Sequence, residues 1–210
     1  MIGVARHAPQ EKAIFSKFYS VDIRDTEAMT DIIRTLGADY PLQAVINNAA
    51  YSPIVDFLEA DLSTFDDAFA INVRSMFALT QSAAHVLIAN GGGSIINLSS
   101  VHAHQGSRGM SIYAATKGAI EAFTRTIAAE LAQHNIRCNS IAPSATSTPR
   151  LVDSLSSSQV GQRTERIPLG RLASSKEIAA VIAFLISDEA RFITGVTVPV
   201  DGGYLAVKNI

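Results

Sequence analysis

Ile95-Ile96-Asn97-Leu98-Ser99-Ser100 and, beyond a loop, Tyr113-Ala114-Ala115-Thr116-Lys117 are the stretches on which the fold turns. The first is an apolar run bounded by Gly91-Gly92-Gly93 and a serine pair, and it predicts a strand over Ser94 to Leu98. The second opens a long helical pattern from Ile112 to Gln133. Outward from this pair the same alternation repeats. Further strands are expected over Met1 to Ala5, Phe18 to Val21, Ala44 to Ile46, Arg137 to Ile141 and Val196 to Val200. Helices are expected from about Thr26 to Leu36, where Gly37 should stop the first, and from a Ser63-x-x-Asp66 capping box to Asn90. A third is expected from Ser174-x-x-Glu177 to Leu185. Short β-rich runs alternating with longer helices are the signature of βαβ units, hence an α/β fold with a parallel sheet.

The chain has 210 residues, 48% of them hydrophobic and 17% charged, with a formal net charge of −2 and a pI near 6.2. That content excludes a disordered chain, and the charge balance gives no electrostatic case for nucleic acid or an anionic membrane as partner. Ile178 to Ile186 is the longest apolar stretch, well short of the about 20 residues a bilayer span needs. Met1-Ile2-Gly3-Val4-Ala5-Arg6 lacks the features of a signal peptide, and one cysteine, Cys138, forms no internal disulfide. A cytoplasmic single domain over 1–210, with no metal centre, is the expectation. Between Ala145 and Ile167 the chain turns polar around Ser154 to Ser158, which suits a mobile flap over a site, a linker being the alternative.

Tyr113 and Lys117 stand at i and i+4, so a helix places them on one face. An ammonium beside a phenol favours the phenolate, which turns tyrosine into a usable general acid/base. Alone the pair is common on solvated helix faces. Ser100, thirteen residues earlier, lies at the carboxyl end of a predicted strand, where open α/β sheets place their ligands. Its hydroxyl there could hydrogen-bond a carbonyl oxygen that Tyr113 protonates.

With these residues the ordered set Asp22, Asn47-Asn48-Ala49-Ala50, Asn72-Val73, Ser100, Tyr113-x-x-x-Lys117, Asn139-Ser140-Ile141-Ala142-Pro143, Thr148-Pro149 and Val200-Asp201-Gly202-Gly203 resembles the short-chain dehydrogenase/reductase family almost end to end. The resemblance implies a doubly wound Rossmann-like sheet and hydride transfer between NADP(H) or NAD(H) and a carbonyl/alcohol pair. It implies Tyr113 as acid/base, Lys117 as its partner and the holder of the nicotinamide ribose, Ser100 rather than Ser99 as the positioner of the reacting oxygen, and Asn72 as the residue ordering a relay water. An asparagine inside a helix wants a local reason, since it competes for backbone hydrogen bonds. For the cofactor it implies Asp22 and Ile23 near the adenine, Asn48, Ala49 and Ala50 near the adenosine ribose, and Pro143, Ser144, Ala145 and Thr148 around the nicotinamide. Thr148 is equally readable as a helix cap. After the first strand Ala5 stands where an acidic residue would select NAD, and Arg6 follows it, so NADP is favoured over NAD. Arg6 as a plain solvated loop residue is the alternative.

Ala50 and Ser144 replace glycines usual in the family, and Ser144 either adds a hydrogen bond or crowds the nicotinamide. The larger departure is at the front. A family member opens with a strand and a glycine-rich turn that holds the pyrophosphate at a helix N-terminus. Gly3 is isolated inside the first strand, and Met1 falls where the second strand of a complete member would begin. Three expectations compete: a chain shortened relative to the working protein, a paralogue with a rearranged or borrowed strand, and a degenerate member that binds cofactor poorly.

The leading function is therefore an oxidoreductase, and the rival is a non-catalytic binding or scaffold protein on a shortened dehydrogenase fold. A serine hydrolase built from Ser100 with His102 or His104 has no Gly-x-Ser-x-Gly elbow to support it. His102, His104, Gln105 and the flap are expected to line the substrate pocket, which suits a polar small molecule such as a sugar, hydroxy acid or cyclic diol. A fatty-acyl ketoester is the competing substrate. The last strand and the Ile112–Gln133 helix resemble the family's subunit contacts, so a homo-oligomer is expected.

Overall fold

The computed structural model describes residues 1–7, 15–149, 151 and 156–207. Residues 150 and 152–155 of the expected flap lie outside them. In chain order the elements are β1 (Ile2–Ala5), β2 (Lys17–Ser20), α1 (Thr26–Asp39), β3 (Ala44–Asn47), α2 (Leu62–Phe69), α3 (Ser75–Ala89), β4 (Gly93–Leu98), α4 (Ser111–Leu131), β5 (Ile136–Pro143), β6 (Thr146–Ser147), α5 (Ser157–Glu165), β7 (Ala173–Ser174), α6 (Ser175–Ile186) and β8 (Thr197–Val200).

Four strands form a parallel sheet in the order β3-β4-β5-β8. Side chains of β4 alternate between two cores, as period-two geometry requires. Ile95 joins Leu87, Ala128, Ile136 and Cys138 on the side of α3 and α4. Ile96 and Leu98 join Ile141, Ile178 and Leu185 on the side of α6. Burying each of these large aliphatic side chains is worth roughly 1.5–3 kcal/mol, so β4 and β5 anchor the molecule from both faces.

A separate parallel pair, β1 with β2, stands apart from that sheet, and β6 pairs with β7. Among the described residues β1 and β3 each have a strand partner on one side only. After β2 the chain enters α1, which packs on α3 and shares a Thr30–Ser82 hydroxyl contact of 3.0 Å with it.

Two boundary expectations are corrected. Gly37 does not stop α1: it lies inside the helix, and a Cβ there would meet Val86 of α3 at 2.5 Å, so its role is close helix approach. The helix expected from Ser63 to Asn90 is two helices joined by a π-helical turn, Ala70–Arg74. Its cap is Asp61, whose Oδ1 accepts from the Thr64 N–H at 2.6 Å and from the Ser63 hydroxyl at 3.0 Å. A carboxylate placed three residues before a free N–H is a stronger acceptor than the serine hydroxyl, which is drawn into the same cap. The Ser174–Glu177 capping box forms as expected, reinforced by Arg171 on Glu177 at 2.7 and 2.9 Å.

Candidate active site

At the carboxyl end of β4 the chain turns sharply, and Ser100 is the N-cap of the single 3₁₀ turn Val101–Ala103. Its Oγ accepts from the His102 N–H at 3.3 Å, which leaves the hydroxyl proton free to be donated. Ser99, its neighbour, turns the other way. Its hydroxyl donates to Glu121 of α4 at 2.6 Å, so the structure separates a tethered serine from an available one.

The first two turns of α4 carry Tyr113 and Lys117. Lys117 is 2% exposed, the largest fully buried side chain of the described chain. Its Nζ donates to the Leu98 carbonyl at 2.5 Å and lies 5.3 Å from the centre of the Tyr113 ring. Burial pulls its pKa from the usual 10.5 to about 8. A buried ammonium with a carbonyl and an aromatic ring for company is an uncompensated positive charge, suited to hold hydroxyl groups and to stabilise a phenolate. His102 stands edge-on to Tyr113, ring centres 6.0 Å apart. Its buried Nδ1 has no hydrogen-bond partner among the described residues, and burial lowers its pKa below the usual 6.5.

Asn72 sits in the π-helical turn, which supplies the local reason its position requires. Its Oδ1 accepts from the Tyr51 N–H at 2.7 Å, while its Nδ2 donates to the Tyr51 carbonyl at 2.8 Å and to Thr116 Oγ1 at 3.0 Å. The side chain thus ties the loop after β3 to the Tyr113–Lys117 turn and is fully engaged.

The residues expected around a cofactor all follow the carboxyl ends of parallel strands. Asn48, Ala49 and Ala50 leave β3, and Pro143, Ser144 and Ala145 leave β5. The Ser144 hydroxyl donates to the Asp201 carbonyl at 3.1 Å, the added hydrogen bond that was one of its two expected effects. Thr148 caps the next turn, its Oγ1 accepting from the Leu151 N–H at 3.3 Å. Asp22 and Ile23 follow β2, and Asp22 is gripped by Arg24 at 2.8 Å, with Arg24 also reaching Asp67 of α2 at 3.3 Å. Those Arg24 hydrogen bonds hold the Asp22 carboxyl down to about 2, with a smaller contribution from the charge of Arg6. Arg6 itself is exposed just beyond β1.

These groups fit the nicotinamide and adenosine ends of a dinucleotide. A pyrophosphate grip is not among the described residues. Gly3, in β1, makes room for aromatic rings instead: a Cβ would meet Phe15 at 2.7 Å and Phe18 at 3.0 Å.

A buried network also escaped the sequence reading. Asn47 donates to Thr80 and Asn97, and Asn97 donates to Thr124 and, at 3.6 Å, to Cys138, whose thiol burial pushes up to about 12. It crosses β3, β4 and α4 and fixes their relative height beneath the site.

Residues 4–205 match a family model described as enoyl-(acyl carrier protein) reductase. The L-xylulose reductase of Bos taurus is 39% identical over 188 residues, covering 89% of this chain and 76% of that protein. This chain belongs to the short-chain dehydrogenases/reductases. A solved short chain dehydrogenase/reductase family protein superposes with a TM-score of 0.86 at 36% identity, covering 98% of this chain and 86% of its own. ElxO with NADP bound superposes with a TM-score of 0.90 at 26% identity, covering 98% and 88%. Like its relatives, this short-chain dehydrogenase/reductase is an NAD(P)-dependent oxidoreductase with a Rossmann-like fold. Among the described residues no helix is long and apolar enough to cross a membrane.

Proposed function

We propose that this chain reduces a polar carbonyl compound, or oxidises the matching alcohol, with NADP(H) in preference to NAD(H), and that Ser100, Tyr113 and Lys117 carry the proton chemistry. The observation behind this is the buried Lys117 ammonium against the Tyr113 ring, beside a serine whose hydroxyl proton is free. When bound, the nicotinamide supplies or accepts the hydride. Ser100 then donates its O–H to the reacting oxygen and fixes its position. Tyr113 delivers its phenolic proton to the same oxygen in reduction and takes it back in oxidation. Lys117 stabilises the tyrosine oxygen left without its proton and offers its remaining N–H donors to the nicotinamide ribose. Asn72 holds the β3 loop against this turn. Asp22 and Ile23 would meet the adenine, Asn48, Ala49 and Ala50 its ribose, and Pro143, Ser144, Ala145 and Thr148 the nicotinamide.

His102 and Gln105 line the substrate side in this reading. A buried, unpartnered imidazole nitrogen beside the catalytic tyrosine favours a substrate that brings its own hydroxyl or carbonyl to it. That suits a sugar, hydroxy acid or cyclic diol, with the segment 145–167, including α5, as a flap over it. It also agrees with the sugar named for the bovine relative, whereas the family model's description points toward acyl substrates.

The decisive experiment is an NADPH fluorescence titration followed by a panel of L-xylulose, 2,3-butanedione and a long-chain 3-oxoacyl thioester. Saturable NADPH binding with turnover of the first two is expected. Turnover of the thioester alone rejects the polar substrate, and no binding at millimolar NADPH favours the scaffold reading. In the same titration Arg6→Ser is expected to weaken NADPH about 10-fold and leave NADH unchanged, because a guanidinium matches a 2′-phosphate and not a 2′-hydroxyl.

A homo-oligomer working in the cytoplasm completes the proposal. Phe77 of α3 is half exposed where it meets Phe123 of α4, one of the elements expected to make subunit contacts, and Phe192 is fully exposed in the segment that leads to β8, the other. Sedimentation at micromolar concentration is expected to show a dimer or tetramer; a monomer alone contradicts it.

A further inference from the structure

The geometry points to Glu121 as a positioning residue that sets the Ser100 hydroxyl against Tyr113 by clamping both ends of the turn that carries it. This rests on Ser100 and Tyr113 being the reacting pair. Glu121 is 5% exposed, and a buried carboxylate needs donors. It finds them on one oxygen, Oε1. Ser99 donates to it at 2.6 Å, and His104 Nε2 lies 3.0 Å from it. Ser99 precedes the N-cap Ser100, and His104 is the C-cap of the same turn. A single carboxylate oxygen therefore holds the turn at its entry and at its exit.

The direction of Ser100 follows from this. Ser100 is extended, with φ −164° and ψ 156°, and side chains on extended backbone alternate in direction. With Ser99 drawn onto α4, the Ser100 hydroxyl is kept off that tether, and its Oγ accepts from the His102 N–H at 3.3 Å within the clamped turn. The Ser99 hydroxyl also lies 3.4 Å from the Lys117 carbonyl, which keeps it on the same helix.

The anchor and the chemistry share one helix face. Tyr113, Lys117 and Glu121 follow at i, i+4 and i+8 on α4, a straight stripe. The distance from serine to tyrosine is thus fixed through one rigid rod, with Glu121 at one end and Tyr113 at the other. Misplacing a reacting group by about 1 Å costs on the order of 100-fold in rate, which is the scale such a clamp protects.

The test is a double-mutant cycle with NADPH and 2,3-butanedione, joined to backbone hydrogen exchange. Glu121→Ala is expected to lower kcat about 30-fold with KM for both substrates within twofold of wild type. Glu121→Gln, whose amide oxygen still accepts both donors, should stay within about fivefold of wild type. In the Ser100→Ala background, Glu121→Ala should lower kcat by less than twofold more, because the group it positions is gone. Amides of 99–105 should exchange at least tenfold faster in Glu121→Ala while those of 113–131 do not change. Multiplying losses in the cycle, or a loss of protection spread across α4, overturns the clamp in favour of a merely structural glutamate. If the wild-type chain fails to turn over 2,3-butanedione, the proposed function is what fails. The exchange of 99–105 then decides the clamp alone: faster in Glu121→Ala supports it, unchanged refutes it.

Discussion

Replacing Tyr113 by phenylalanine is expected to lower kcat about 1,000-fold while leaving the fold and cofactor affinity close to those of the wild type. The substitution keeps the ring that Lys117 approaches at 5.3 Å and His102 meets edge-on at 6.0 Å, and removes only the hydroxyl. A positioned acid/base contributes roughly 10²–10⁴-fold. Ser100→Ala should cost less, on the order of 100-fold, because it removes one hydrogen bond to the reacting oxygen and no proton transfer. Steady-state kinetics with NADPH and the best carbonyl of the panel, alongside thermal unfolding, decide the matter. A phenylalanine variant retaining a tenth of wild-type kcat with an unchanged Tm assigns the proton transfer elsewhere.

The shared face of Tyr113 and Lys117 was legible in the sequence because its geometry is local. Tyr113 and Lys117 need only a helix to share a face, and Ser100 needs only to end a strand. The two-core alternation of β4 was legible for the same reason, since a period of two fixes which of Ile95, Ile96 and Leu98 face together. What escaped depends on contacts distant in sequence. Asn72 carried the signal of an anomaly, but the π-helical turn and the Tyr51 and Thr116 contacts that explain it come from three elements. Gly37 reads as a stop because glycine often ends helices, and only the packing of α3 shows that the missing Cβ was needed for Val86. Ser63 looked like a cap because its spacing to Asp66 is right, yet Asp61 is the better acceptor and takes the place. Glu121 stands third in an i, i+4, i+8 series with Tyr113 and Lys117, but an isolated glutamate on a long helix is ordinarily solvated, and its burial is a tertiary fact.

Lys117→Met is expected to remove activity and to stabilise the protein at neutral pH, a combination that follows from the burial of the ammonium. Its pKa is drawn from 10.5 to about 8 by desolvation, so at pH 7 the folded chain keeps a charge it holds less readily than the unfolded chain does. At about 1.4 kcal/mol per unit that desolvation penalty is on the order of 3 kcal/mol, and the hydrogen bond to the Leu98 carbonyl offsets part of it. Methionine preserves length and apolar contact without the charge, and the expected gain at pH 7 is about 1–2 kcal/mol once the carbonyl has lost its donor. Between pH 8 and 10.5 the unfolded wild-type chain binds a proton that the folded chain has shed, so wild-type stability rises with pH relative to the variant. The folded lysine is already half deprotonated at pH 8, so the gap should narrow by about 1 kcal/mol from pH 8 to pH 9. Cys138 acts in the opposite sense above pH 9, since its thiol is held protonated up to about 12 in the fold, but both proteins contain it and it cancels in the difference. Urea unfolding of both proteins at pH 7, 8, 9 and 9.5 measures this directly. A variant less stable than wild type at pH 7, or a gap that does not change with pH, would mean that the Lys117 ammonium is not held at a cost in the folded chain. The loss of turnover, expected at about 1,000-fold, would then reflect a damaged fold and not the removal of the charge beside Tyr113.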